Sequence, residues 1–147
     1  MPFIAYWKNT IKANTTNNYV GAFWDVVPTV SALADGKTPN GIDGISFLPT
    51  LLGKKNQPAH ENLYWEFYEQ GFKQALRKGD WKAVRFYKNG RPDHTKLYNL
   101  KEDLGEEHNL APTMPKLVGT LEAMMGKEHI ISENPLFKLA RHKVNAE

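Results

Sequence analysis

Glu66, Glu69, Gln70 and Gln74 gather around one glycine, Gly71, in a stretch otherwise dominated by apolar and aromatic side chains. Carboxylates accept hydrogen bonds, and primary amides both donate and accept, so this group could hold a polar ligand. The same residues also suit an ordinary solvent-exposed hairpin tip. Arg77, Lys82 and Arg85 pose a similar choice between an anion site and the polar side of two cross-paired strands. His60 stands just ahead of the cluster and is kept as a candidate. His94, His108, His129 and His142 fall in a turn, an acidic loop and the tail, and read as solvent-exposed; no two His stand at H-x-x-x-H spacing. Asp25, Asp35, Asp43, Asp80, Asp93 and Asp103 are scattered among caps and turns, where Asp is favoured for its local hydrogen bonds. The chain has no Cys, which excludes disulfides, thiolate zinc sites and Cys nucleophiles.

The elements that must carry the polar cluster follow from alternation. Leu63, Trp65 and Phe67 alternate with Tyr64, Glu66 and Tyr68, a period-2 strand pattern. Gln70-Gly71 interrupts it, and residues 73–78 resume it. Gly79-Asp80 is a two-residue turn, with Gly able to take positive φ, and residues 81–87 run onward. Asn89-Gly90 is a strong hairpin signal that returns the chain into residues 95–100. Residues 101–109 form a charged loop. Thr113 is the expected N-cap of a helix with Pro115 in its first turn. Leu117, Val118, Leu121, Met124 and Met125 form one apolar stripe on it. The fold class is therefore α+β: a four-stranded antiparallel sheet covered by a C-terminal helix. Trp65 and Trp81 are expected on the helix-covered side. Leu136, Phe137 and Leu139 in the tail can pack back.

Ahead of the sheet, residues 2–7 read as a buried strand. Asp25 is the expected cap of a helix whose Val26, Val27, Val30, Leu33 and Ala34 form one inward face. Residues 45–52 form a short helical turn with Phe47, Leu48 and Leu51 inward. The polar linker from Gly53 to Glu61, which holds His60, marks the boundary between residues 1–58 and 59–147. At 147 residues and 41% hydrophobic, the chain is long enough to bury a core. The net charge of +3 is ordinary surface chemistry, and nothing points to nucleic acid. No apolar run approaches the roughly 20 residues of a membrane span, and residues 3–7 are too short for a signal-peptide h-region.

The segment NLYWEFYEQGFKQALRKGDWKAVR, residues 62–85, resembles a C-terminal segment of bacterial sulfatases. A Trp-Glu pair, a polar Gly turn, an Ala-x-Arg and a Gly-Asp-Trp-Lys recur there in this order. Residues 2–7, the Asp25-Val26-Val27-Pro28-Thr29 run and the stretch from Asp43-Gly44 to Gly53 resemble the same family. So does Leu97-Tyr98-Asn99-Leu100 with Asp103, Glu106 and Asn109. Lys96 and Leu104 stand where the family usually has Glu and Pro, at surface and turn positions. The match runs through residues 2–125.

The resemblance implies that residues 1–58 are a strand-helix remnant of a large sulfatase α/β domain and that residues 59–147 are its C-terminal subdomain. It implies a parent that hydrolyses sulfate esters, with sulfated carbohydrate as partner, calcium as metal and a formylglycine nucleophile made from Cys or Ser. Ser31, Ser46 and Ser132 lack the required Pro-x-Arg context. The chain by itself is therefore expected to be inactive, with no cofactor of its own. His60, Glu66, Glu69, Gln70 and Gln74 would position the non-reacting part of the substrate. Such parents are commonly periplasmic or secreted. Residues 2–7 are expected to self-associate if their strand partners are missing. Two other readings stay open: a fragment of a phosphate or phosphonate ester hydrolase, and a stand-alone carbohydrate- or protein-binding module.

Overall fold

The computed structural model describes residues 3–69, 71–134 and 137. The chain forms two compact units, Met1–Glu61 and Asn62–Glu147. Among the described residues, no helix is long and apolar enough to cross a membrane.

In the first unit, a 3-10 turn, Phe23–Asp25, leads into helix α1, Val26–Leu33. Pro28 sits in the first turn of α1, where a missing N–H breaks no intrahelical bond. The connector after α1 is bound to it by polar contacts. The Asp25 carboxylate accepts the N–H groups of Ala22 and Ile45, each at 2.8 Å. Thr29 donates its hydroxyl to the Asp25 carbonyl at 2.7 Å and accepts the Phe47 N–H at 3.0 Å. This close approach requires glycine at position 44, because a Cβ there would stand 2.3 Å from the Trp24 carbonyl oxygen. Helix α2, Leu48–Leu51, follows with Pro49 in its first turn.

Three expectations for this unit are corrected. Asp25 makes no side-chain cap bond to α1, because its oxygens are taken by Ala22, Ile45 and His60. The stripe Val27, Val30 and Leu33 is exposed, while Pro28 and Thr29 are buried. The polar bonds of Asp25 and Thr29 hold that other side of α1 against the connector, which turns the apolar stripe outward. Residues 3–7 form no strand and are not buried: Phe3, Ile4 and Tyr6 are 70%, 91% and 85% exposed. A strand needs a ladder partner for its backbone groups, and among the described residues the ladders all lie in the second unit. Phe3 does reach Phe47 edge to face, with centroids 5.5 Å apart. Because this apolar segment is unpaired, the chain is expected to associate with concentration in sedimentation velocity, and Ile4→Asp is expected to shift it toward monomer. A sedimentation coefficient that stays monomeric at high concentration would rule this out.

The second unit is an antiparallel sheet in the order β1–β2–β3–β4. Its strands are β1 Leu63–Phe67, β2 Lys73–Lys78, β3 Trp81–Lys88 and β4 Arg91–Asn99. Both tight turns fall where the sequence places them. Gly79 has φ +58°, and Asn89 and Gly90 have φ +54° and +74°, the paired positive values of a type I′ hairpin. The register sets Tyr64 opposite Leu76, Leu76 opposite Ala83 and Ala83 opposite Leu97. That row faces helix α3, Pro115–Glu128. Leu76, Ala83, Leu97, Leu121 and Met125 form the fully buried core, with Leu117, Val118 and Met124 packed around it.

Details of this unit depart from expectation. Thr113 does not cap α3; its hydroxyl donates to the Leu110 carbonyl, and Met114 holds the N-cap position. Trp81 packs against the core but is only partly buried. Trp65 pairs with Ala75, so it lies on the sheet face opposite the Tyr64–Leu76 row. Period-2 alternation makes this unavoidable once Tyr64 faces α3. The acidic loop is a docking device. Asp103 accepts the N–H groups of His108 and Glu107, which lower its pKa, and Glu106 pairs with Lys82. Asn109 accepts the N–H groups of Leu97 and Ala111, each at 3.0 Å, and so fastens the loop to β4.

Candidate functional site

The polar groups around the β1–β2 hairpin form one connected network. Glu66 and Gln74 are cross-strand partners. Tyr64 donates to Glu66 Oε1, and Tyr68 donates to Glu66 Oε2. His129 Nδ1 lies 2.5 Å from Glu66 Oε1. An ionised carboxylate only accepts, so His129 carries its proton on Nδ1 in this contact. Gln74 is 2% exposed, donating from Nε2 to the Tyr64 hydroxyl at 2.7 Å and accepting the Tyr87 hydroxyl at 2.8 Å. Every hydroxyl in the chain Tyr87, Gln74, Tyr64, Glu66 thus points its donor toward the carboxylate, an arrangement in which each bond polarises the next.

The electrostatics follow from that geometry. Burial by itself raises the Glu66 pKa. Hydrogen bonds from Tyr64, Tyr68 and His129, with the charge of His129, outweigh it and leave the carboxyl below its ordinary value. The two tyrosines move the other way. Burial, then the bond to Glu66, pushes Tyr64 far up and Tyr68 up to about 12. The network is therefore an ionised acceptor held by two tyrosines that keep their protons and by His129. Each Glu66 oxygen faces a donor and the two tyrosines hold their protons, an arrangement that suits positioning.

The candidate residues do not all come together. Glu66 and Gln74 meet in this network. Glu69 is exposed at the hairpin tip and lines an open groove with Phe67, Lys73, Lys82 and Phe86. Gln70 lies outside the described residues. His60 does not join them: its Nε2 sits 2.8 and 3.0 Å from the two oxygens of Asp25, inside the first unit. Burial, then the nearby charge of Asp25, pushes Tyr19 up to about 12. The possible anion site is also accounted for locally. Lys82 pairs with Glu106, Arg85 Nη2 lies 3.3 Å from Glu122, and Arg77 donates to the Gly79 carbonyl. His129, expected to be solvent-exposed, is instead a central partner of Glu66, 63 residues away in sequence. Its position at the C-terminal end of an amphipathic helix was the one local hint of it.

The family described as N-sulphoglucosamine sulphohydrolase, C-terminal, matches residues 1–129. The chain belongs to this sulfatase family. Among curated relatives, the ulvan-active sulfatase of Formosa agariphila is 29% identical over 143 residues, covering 76% of this chain and 28% of that protein. Arylsulfatase A of Bos taurus is 28% identical over 137 residues, covering 79% of this chain and 27% of that protein. The solved structure of a 2-O GAG sulfatase superposes with a TM-score of 0.60 at 30% identity, covering 71% of this chain and 23% of that one. The chain thus spans about a quarter of the length of these relatives.

The sulfatase family implies a formylglycine and a calcium ion. Formylglycine made from Cys has no source here, since the chain contains no Cys. Calcium needs several oxygen ligands converging on one point. Among the described residues, no group of three or more His, Asp or Glu is placed to hold a metal ion. The Glu66 oxygens are already occupied by donors, as are those of Asp25. The donor set of the described residues fits neither group.

Proposed function

We propose that this chain serves as the substrate-recognition part of a sulfatase acting on sulfated carbohydrate, and that it has no hydrolytic activity of its own. The family match over residues 1–129 carries this reading. It is supported by relatives named as an ulvan-active sulfatase and a 2-O GAG sulfatase. In this reading the β1–β2 hairpin meets the sugar. Its tip residue Glu69 is exposed and free to accept hydroxyl hydrogen bonds, while the strands behind it are fixed by the sheet. Sites built on rigid elements hold a ligand more accurately than free loops. Nucleophile and metal belong to the parent's chemistry, and its formylglycine and calcium would lie outside the residues described.

The expected results are specific. The purified chain should release no sulfate from 4-nitrophenyl sulfate or from sulfated oligosaccharides, with or without calcium. Turnover that follows the chain through gel filtration, above a heat-inactivated control, would overturn the inactivity. In an NMR titration, a sulfated oligosaccharide should shift amide resonances at Glu69 and its neighbours, and the desulfated form should do so more weakly. Shifts confined to the opposite end of the sheet, near the Gly79-Asp80 turn, would place the sugar elsewhere.

A further inference from the structure

We propose that Glu66, Gln74 and His129 are positioning residues: together they form a clasp that holds the β1–β2 hairpin tip in the geometry in which it presents Glu69 to a sulfated sugar. This rests on the reading of the hairpin as the sugar-facing surface, and it reassigns Glu66 and Gln74 from contact to support.

Accessibility is the first reason. Gln74 is 2% exposed, and both ends of its amide are taken by the hydroxyls of Tyr64 and Tyr87. Both oxygens of Glu66 are taken by Tyr64, Tyr68 and His129. Gln74 is too deeply buried to reach a ligand, and Glu66 already commits three of its acceptor positions to these partners. Glu69, in contrast, is exposed.

Connectivity is the second reason. Glu66, Gln74 and His129, with the tyrosines they bind, come from β1, the residue just past it, β2, β3 and the residue after α3. They therefore tie one flank of the tip, at Tyr68, to the sheet and to the helix end. The other flank is pinned by Phe72, whose carbonyl accepts the Tyr87 N–H at 3.1 Å. The Phe72 ring lies 5.0 Å from Tyr68 and 4.8 Å from Tyr87, and it also stands edge-on to His129 at 6.4 Å. Tyr68 is further covered by Phe137 at 4.5 Å. Between the two pinned flanks lie residues 69–71 alone, with Gly71 at φ +90°, a value that L side chains rarely adopt. Pinning Tyr68 and Phe72 limits the conformational freedom that the neighbouring Glu69 loses on binding, and so lowers its ordering cost. Loosening the clasp restores that freedom, and affinity falls without any ligand contact being removed.

The test uses the full chain, with amide exchange and binding of a heparin-derived tetrasaccharide measured side by side. His129→Ala should accelerate exchange at residues 68–72 tenfold or more relative to the β3–β4 amides and weaken tetrasaccharide binding at least fivefold. His129→Gln, which can still donate an N–H toward Glu66, should recover part of both. Glu69→Gln should weaken binding and leave exchange unchanged, as expected for a contact. Leu110→Ala, at the edge of the core, should lower global stability without selectively speeding residues 68–72, which separates the clasp from general destabilisation. Exchange at 68–72 within twofold of the native chain in His129→Ala overturns the clasp. A native chain that fails to bind the tetrasaccharide overturns the sugar-facing reading and the positioning role with it, while the exchange data still report whether the clasp exists.

Discussion

Leu76→Ala is expected to lower the unfolding free energy of the second unit by about 3–4 kcal/mol, near the middle of the range for fully buried Leu→Ala changes. Leu76 is 0% exposed and sits on β2, a central strand, between Tyr64 on one side and Ala83 on the other. Its side chain lies in the core with Leu97, Leu121 and Met125. Truncation removes apolar contact and leaves a void that two hydrogen-bonded neighbours cannot close. Relaxation is limited because β2 is tied to strands on both sides and α3 covers the face. The effect is read from the denaturant midpoint with an unchanged slope. A loss below about 1 kcal/mol would mean that α3 does not cover this face of the sheet in solution.

The second large effect concerns Glu66. Glu66→Ala removes the shared acceptor of Tyr64, Tyr68 and His129. Those donors are partly exposed and can recruit water, so the expected cost is about 2–3 kcal/mol rather than the sum of three unpaired groups. The same residue predicts an acid response. Its carboxyl is held below the ordinary value of 4.5 because three hydrogen bonds and the charge of His129 outweigh burial. A carboxyl with a lowered folded-state pKa binds fewer protons folded than unfolded. Its stabilisation is therefore fully present above about pH 4.5 and is lost as pH falls through the lowered value. Thermal unfolding followed between pH 6 and pH 3 should show this loss in the native chain. Glu66→Gln should start from a lower midpoint and show a shallower acid limb. An acid limb of equal slope in the variant would assign the effect to other carboxylates.

How far the site could be read ahead of the structure depends on how local each interaction is. The polar cluster was visible because Glu66, Glu69 and Gln74 lie close in sequence around a glycine. Glu66 and Gln74 are cross-strand partners, the pairing of a hairpin centred on position 70 rather than on Gly71. The contacts that define what they do were not visible. His129 reaches Glu66 across 63 residues, and His60 reaches Asp25 across 35. A single side chain meeting another at such separation leaves no periodic trace.

The sequence by itself determined the local elements of this protein. Alternation in β1 and β2, positive φ at Gly79, Asn89 and Gly90, and the apolar stripe of α3 each arise from neighbours a few residues apart. Local sterics and periodicity govern them, so they are written in the residue order. Tertiary structure alone decided which faces are covered. Alternation defines two sides of β1 but is silent on which meets α3, and the register placed Tyr64 there and Trp65 on the other side. The Val27, Val30 and Leu33 stripe is a genuine helical face, yet it points outward, because Asp25 and Thr29 bind the opposite side of α1 to the connector. Covering a face depends on what packs against it, and that partner is chosen by the whole fold rather than by the segment that carries the face.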